Sequence, residues 1–355
     1  MASVWDAVVG QEHAVDLLRH LVDQPVHGFL LVGPEGCGKE EAARAYAARL
    51  ISGADAADSR EARLIFSESH PDVHEFKREG ASISKDDAED VIALSSLSTN
   101  EASHLVVVLH DVHLMGESQF VRLLKTLEEP PNHVRFLLLA ESITPDMATI
   151  ASRCAVIHLA DIDPALIEDT LLREGVPYER ARAAALGAMG SLSRARLLAS
   201  DADYLDRREA FARLPFELDG TGHRVASLVD DIKARIDAAA APLQDVFARE
   251  IEDLQLRIKV SGERGSGKKE LEASQKRRLR RHLTEELRNG LAVTATVYRN
   301  AMSHAHNAHR IAEFSAAIDD IHRALGRLAL NANEDLLLQD LFLRMPLVRE
   351  ADFVG

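Results

Sequence analysis

The chain of 355 residues has only two cysteines, Cys37 and Cys154. That number supports neither a disulfide framework nor a cysteine zinc site. No apolar run approaches the roughly 20 residues that a bilayer-crossing helix needs. The opening residues, MASVWDAVVGQEHA, are acidic early and lack a basic-then-apolar export pattern, so a cytoplasmic protein without a membrane role is expected. Positive charge is also short: the formal net charge is −15, which argues against a surface that binds nucleic acid over its whole extent. Contact with DNA would have to be local or made by a partner. No repeat of fixed period stands out, and there is no Ser/His/Asp or paired-carboxylate constellation for hydrolysis.

What is present starts with a 46% hydrophobic composition and length enough for two or three domains. An apolar run, Phe29-Leu30-Leu31-Val32, leads into Gly33-Pro34-Glu35-Gly36-Cys37-Gly38-Lys39, and a helix-forming run from Glu41 to Leu50 follows. Strand, glycine-rich turn and helix are the context of a phosphate-binding loop. Glycines let backbone N–H groups curl round a phosphate, the helix start adds partial positive charge, and Lys39 adds a full one. Position 40 departs from the motif. Glu40 replaces the hydroxyl that would ligate Mg²⁺ and sets a carboxylate where phosphates would lie. Two readings stay open: a nucleotide site with ATP or ADP and weakened chemistry, or a loop kept for its shape.

Ala14, Leu17, Leu18 and Leu21 recur at helical spacing in the segment Gln11–Leu21. Residues 52–67 read as a polar connection, Val73–Phe76 as extended, and Ser84–Leu97 as helix. Leu105–Leu109 and Val134–Ala140 are the continuous apolar runs of strands buried on both faces. Between them lies a helix with Phe120, Leu123, Leu124 and Leu127 on one face, stopped by Pro130-Pro131. A short strand at Ala155–Leu159 follows Met147–Arg153. Alternating strands and helices predict an α/β domain with a parallel sheet and ligands at the carboxyl ends of its strands. From Asp161 the pattern is helical only, with Asp163-Pro164 as a helix start.

The strand at 105–109 ends in His110-Asp111. In a hydrolysing phosphate-loop ATPase two acids follow this strand, one holding Mg²⁺ through water and one polarising the attacking water. Here the first is His110 and the second the shorter Asp111, so both metal-binding elements are altered. A zinc reading of His110 and His113 lacks a nearby third ligand. Ser152-Arg153-Cys154 sits just before the last strand; Arg153 is either a surface residue or an arginine finger offered to a neighbouring subunit's nucleotide. A second glycine-rich match, Gly262 to Lys268, has no strand leading in and reads as a basic linker. The run Lys276–Arg281 reads as a solvated helix face, with local phosphate contact as its alternative. His304, His306 and His309 carry no interleaved acid or cysteine and read as helix surface.

Several stretches, in order and spacing, resemble one family. Val9-Gly10-Gln11, HGFLLVGPEGCGK, LVVVLHDVHLM, FVRLLKTLEEPPNHVRFLLLAES and TIASRC are similar to the AAA+ clamp-loader subunits of bacterial DNA polymerase III. Gly190–Arg196 resembles that family's lid helix, where Arg194 or Arg196 would face nucleotide phosphates, and Asn331–Met345 resembles a collar-domain ending. The resemblance implies an AAA+ phosphate-loop domain (1–160), a helical lid (161–203) and an all-α collar for oligomerisation (204–355). It implies nucleotide contacts at Gly33, Gly36, Cys37, Gly38, Lys39, Glu40, Asp111 and Arg194. Within the family, an eroded own site beside a retained Ser-Arg-Cys points to the delta-prime branch rather than the gamma/tau motor. Such a subunit is expected to have no ATPase activity of its own and to lend Arg153 in trans during sliding-clamp loading in DNA replication. Its implied partners are gamma/tau and delta subunits, with the sliding clamp and primed DNA reached through the complex. A self-sufficient ATPase and a pure assembly scaffold are the alternatives. Many members carry four zinc-binding cysteines after the loop; residues 52–70 contain none, so zinc is not expected.

Overall fold

A computed structural model describes residues 2–353 except 25, 78–84, 116, 262–267 and 329–332. The glycine-rich match at Gly262–Gly267, Ser84 as a helix start, and Asn331-Ala332 lie outside the described residues. Those residues group into two compact units, one chiefly Met1–Arg196 and the other chiefly Leu197–Gly265 and Gln275–Gly355.

The first unit carries α1 (Glu12–Leu21), β1 (Gly28–Val32), α2 (Lys39–Ser52), α3 (Arg60–Phe66), β2 (Val73–Phe76), α4 (Lys85–Ser95) and β3 (Leu105–Leu109). It continues with α5 (Glu117–Glu128), β4 (Val134–Ala140), α6 (Ala148–Ala151), β5 (Ala155–His158), α7 (Pro164–Arg173), α8 (Tyr178–Gly187) and α9 (Leu192–Ser200). The strands form one sheet in the order β2-β3-β4-β1-β5, and every pairing is parallel. β1, β3 and β4 are buried along their whole length, as continuous apolar runs in a sheet covered on both faces require. On one face α2 presents Ala42, Ala43, Ala45, Ala47 and Ala48, all fully buried; side chains this small let the helix lie close to β1, and Tyr46 meets Phe29 with ring centroids 4.6 Å apart. The other face packs α5 through Phe120, Leu123 and Leu127.

The 52–67 stretch departs from its expected polar character. It holds α3, capped by the Ser59 hydroxyl, which accepts from the Ala62 N–H at 3.0 Å. With one short helix there is room for only two buried residues, Ala62 and Ile65, too few for a periodic signal. The His70-Pro71-Asp72 turn has a structural role, because Asp72 accepts the N–H groups of Asn100, Glu101 and Ala102 and fixes the loop that enters β3.

The second unit is helical: α10 (Tyr204–Glu217), α11 (Gly222–Ala238), α12 (Ala241–Ser261), α13 (Lys268–His304), α14 (Ala308–Leu328) and α15 (Glu334–Arg344). Its core joins Phe211, Val225, Leu291, Tyr298, Phe314 and Leu338. Arg207 is buried there between Asp201 and Glu286, at 2.5 and 3.1 Å. Of the three histidines expected on helix surface, His304 and His309 are helical and exposed, whereas His306 lies in the linker between α13 and α14.

Candidate functional site: a phosphate-type loop beside a charged network

The loop follows β1 at the carboxyl end of the sheet. Gly36 and Gly38 have φ of +74° and +98°, the left-handed region in which glycine is at ease. Gly38 caps α2, so the helix start points into the turn. The turn is held from outside by Gln11, whose amide donates to the Cys37 and Ala160 carbonyls at 3.0 and 2.7 Å and accepts from the Ala160 N–H. Gln11 therefore ties the loop to the chain leaving β5. Lys39 turns back on the loop and donates to the Gly33 and Pro34 carbonyls at 2.6 and 2.5 Å. Cys37 is wholly buried, and burial pushes its thiol up.

The helical segment after β5 reaches the same turn. The Leu192 N–H donates to the Gly36 carbonyl at 3.1 Å. Ser191 and Ser193 lie so close that a Cβ on Gly36 would fall 2.0 and 2.5 Å from their hydroxyl oxygens. Arg194, from the same motif, donates through Nε to the Gly187 carbonyl at 3.3 Å, and Arg196 pairs with Glu174 at 2.6 Å.

Beside the loop, Glu40 and His110, the two residues at which the sequence departs from the phosphate-loop pattern, belong to one side-chain network. His110, at the carboxyl end of β3, lies 3.0 Å from Glu75 through Nε2 and 3.7 Å from Glu40 through Nδ1. Arg44, one helical turn after Glu40, meets both oxygens of Glu75 at 2.7 and 2.9 Å and Glu68 at 2.6 Å. Lys77 closes the set on Glu68 at 2.6 Å. Burial would neutralise His110, but Glu40 and Glu75 overcome it and hold the imidazole above its usual value. The His110 imidazole beside Glu40 in turn holds that carboxylate below its usual range. Burial likewise favours a neutral Glu75, yet Arg44 and His110 drive it down to about 2. Three carboxylates thus face three cations, and the charge is balanced from within. A divalent ion does not fit this set: the hydroxyl ligand is missing, and the carboxylates that could replace it are spent on the imidazolium and guanidinium. Among the described residues no cluster of potential ligands is arranged to hold a metal.

Asp111 follows His110 with φ +53° and caps the short turn Val112–Leu114. His113 accepts from the Glu141 N–H at 3.3 Å, so His110 and His113 serve different neighbours. Glu75 and Glu68 were not legible as site residues, because they join the site from segments other than the loop and its helix; Arg44 lies on that helix, and Gln11 and the two serines fall within the stretches that carry the resemblance.

Arg153 stands elsewhere. β5 runs parallel to β1 with Ala155 opposite Phe29, so Arg153, two residues earlier, lies at the amino end of the sheet. The loop lies at the carboxyl end, about 15 Å of strand away. The side chain is one-third exposed and is not drawn into the interior.

Residues 10–163 match the family model described as DNA polymerase III, delta subunit. The tau subunit of DNA polymerase III from Escherichia coli is 30% identical over 259 residues, covering 64% of this chain and 40% of that protein. The delta' subunit from Bacillus subtilis is 30% identical over 164 residues, 45% of this chain and 50% of that protein. A solved gamma subunit-related protein from Thermotoga maritima covers 93% of this chain at 18% identity and a TM-score of 0.41. The chain spans half or less of the length of the curated relatives it matches most strongly.

Proposed function

We propose that this chain, which belongs with the clamp-loader-type subunits of DNA polymerase III, serves as a delta-prime-like ring member that does not hydrolyse nucleotide and lends Arg153 to the subunit beside it. Its ring neighbours would be gamma/tau and delta subunits, and through them it would act on the sliding clamp and primed DNA. The observation that carries the reading is a separation of parts. Beside the chain's own loop His110 is paired with Glu40 and Glu75, while an exposed guanidinium stands at the far end of the sheet. A cation there is out of reach of its own loop and suited to a γ-phosphate held by another subunit. Division into a phosphate-loop domain, a lid and a collar belongs to the same proposal.

The test is the Arg153→Ala variant in a reconstituted loader. A guanidinium that stabilises charge on a transferring phosphoryl group is worth about 10³–10⁵ in rate, so ATP turnover should collapse while the complex still assembles. Turnover at the wild-type rate would sink the assignment. A gamma/tau-type motor is the second reading, favoured by the longer match to the tau relative. Steady Mg²⁺-dependent turnover by the isolated chain would establish it.

A further inference from the structure

The helix α5 ends in Glu128, with Glu129 following it before Pro130-Pro131. Carboxylates at a helix carboxyl terminus meet the negative end of the dipole, where cations are the favoured residues. A local rule broken in this way calls for a partner from another element. Glu128 has one: its Oε1 lies 2.5 Å from Arg153 Nη2. The run Thr126-Leu127-Glu128-Glu129-Pro130-Pro131 and the triplet Ser152-Arg153-Cys154 therefore touch, although 25 residues of chain separate the two side chains.

The hydrogen bonds of Arg153 decide what this ion pair does. Nη1 donates to the Thr149 carbonyl at 2.8 Å and to the Ser152 hydroxyl at 3.1 Å. Both acceptors belong to the segment that carries Arg153, so they fix one nitrogen but not the direction of the guanidinium plane against the sheet. Glu128 is the contact that comes from a separate helix. A guanidinium has five N–H donors. With Nη1 bound to Thr149 and Ser152 and Nη2 beside Glu128, the Nε–H makes no hydrogen bond among the described residues. That leaves the Nε–H, which can donate to one oxygen of a phosphoryl group.

We propose that Glu128 is the positioning residue for Arg153: it holds the guanidinium from the side of Nη2 and leaves the Nε–H for the phosphate of a neighbouring subunit. This rests on the finger role assigned above. The pair is exposed, Arg153 by 33% and Glu128 by 45%, and exposed ion pairs add little to folding stability. Its contribution should therefore be read in the reaction and not in the melting temperature.

The experiment uses the reconstituted loader with Glu128→Gln, Glu128→Asp and Arg153→Ala, each alone, and Glu128→Gln combined with Arg153→Ala. Misplacing a reacting group by about 1 Å costs up to roughly 100-fold in rate, so Glu128→Gln should lower kcat for ATP by roughly 10- to 100-fold with KM and melting temperature unchanged. Glu128→Asp, which keeps the charge, should recover part of that loss. The double variant should be no slower than Arg153→Ala alone, because nothing is left to position. An unchanged kcat in Glu128→Gln beside a collapsed Arg153→Ala overturns the positioning role and leaves the finger standing. A raised kcat also overturns it, since Glu128 would then be restraining the arginine. Normal turnover in Arg153→Ala overturns both.

Discussion

Replacing Glu75 by Gln keeps the shape of the side chain and removes its charge from the centre of the network beside the loop. Glu75 is 7% exposed and is clamped by Arg44 and His110, themselves 13% and 8% exposed. Its carboxyl titrates near 2 when folded, against an ordinary value of 4.5. A group whose folded value is depressed contributes stability that is fully present above the ordinary value and is lost as pH falls through the folded one. The interval here corresponds to about 3 kcal/mol at pH 7 and about half of that at pH 3. Glu75→Gln should therefore cost about 3 kcal/mol at neutral pH, and the gap to wild type should narrow as both proteins are taken below pH 4. The chain offers a probe suited to this measurement. Its single tryptophan, Trp5, is 3% exposed in the core of the first unit, so its fluorescence follows that unit alone. Urea titrations at several pH values, read at Trp5, give the free energy by linear extrapolation. A loss below about 0.5 kcal/mol at pH 7, the range of an ordinary surface change, would refute the clamp. So would a loss that stays the same from pH 7 to pH 3, because the effect would then owe nothing to the carboxylate charge.

Two further outcomes follow from packing. Gly36→Ala places a methyl group 2.0 Å from the Ser191 hydroxyl at a φ of +74°; it should cost about 1–3 kcal/mol, seen as a lower melting temperature at Trp5, and Ser191→Gly in the same chain should recover part of the loss. In the second unit, Arg207→Met leaves Asp201 and Glu286 without their buried cation. The expected cost is about 3–5 kcal/mol in the helical unfolding transition followed by circular dichroism, and adding Asp201→Asn and Glu286→Gln should restore most of it.

Much of the fold could be read along the chain because its signals are local. The runs at 105–109 and 134–140 are strands at those bounds, and the run Phe29–Val32 falls in the strand Gly28–Val32, since a strand buried on both faces needs no partner to reveal itself. Parallel pairing followed from the helices between them, and the loop followed from glycine spacing and Lys39. The losses at Glu40 and His110 were also legible, as departures from a motif. That these two residues meet was not. His110 reaches Glu75 from 35 positions away, and Ser191 lies against Gly36 from the far end of the first unit. Ion pairs and hydroxyl contacts of this kind carry no periodicity, and only the closing of the sheet in the order β2-β3-β4-β1-β5 brings β2 beside β3 and sets Glu75 facing His110. That Arg153 precedes its strand while Lys39 follows its own was legible in a parallel sheet, but tertiary structure alone gave Arg153 its partner Glu128. Sequence named the parts of a phosphate-type loop; folding decided which charges meet beside it and set Arg153 against Glu128, because charges pair by distance and not by their order along the chain.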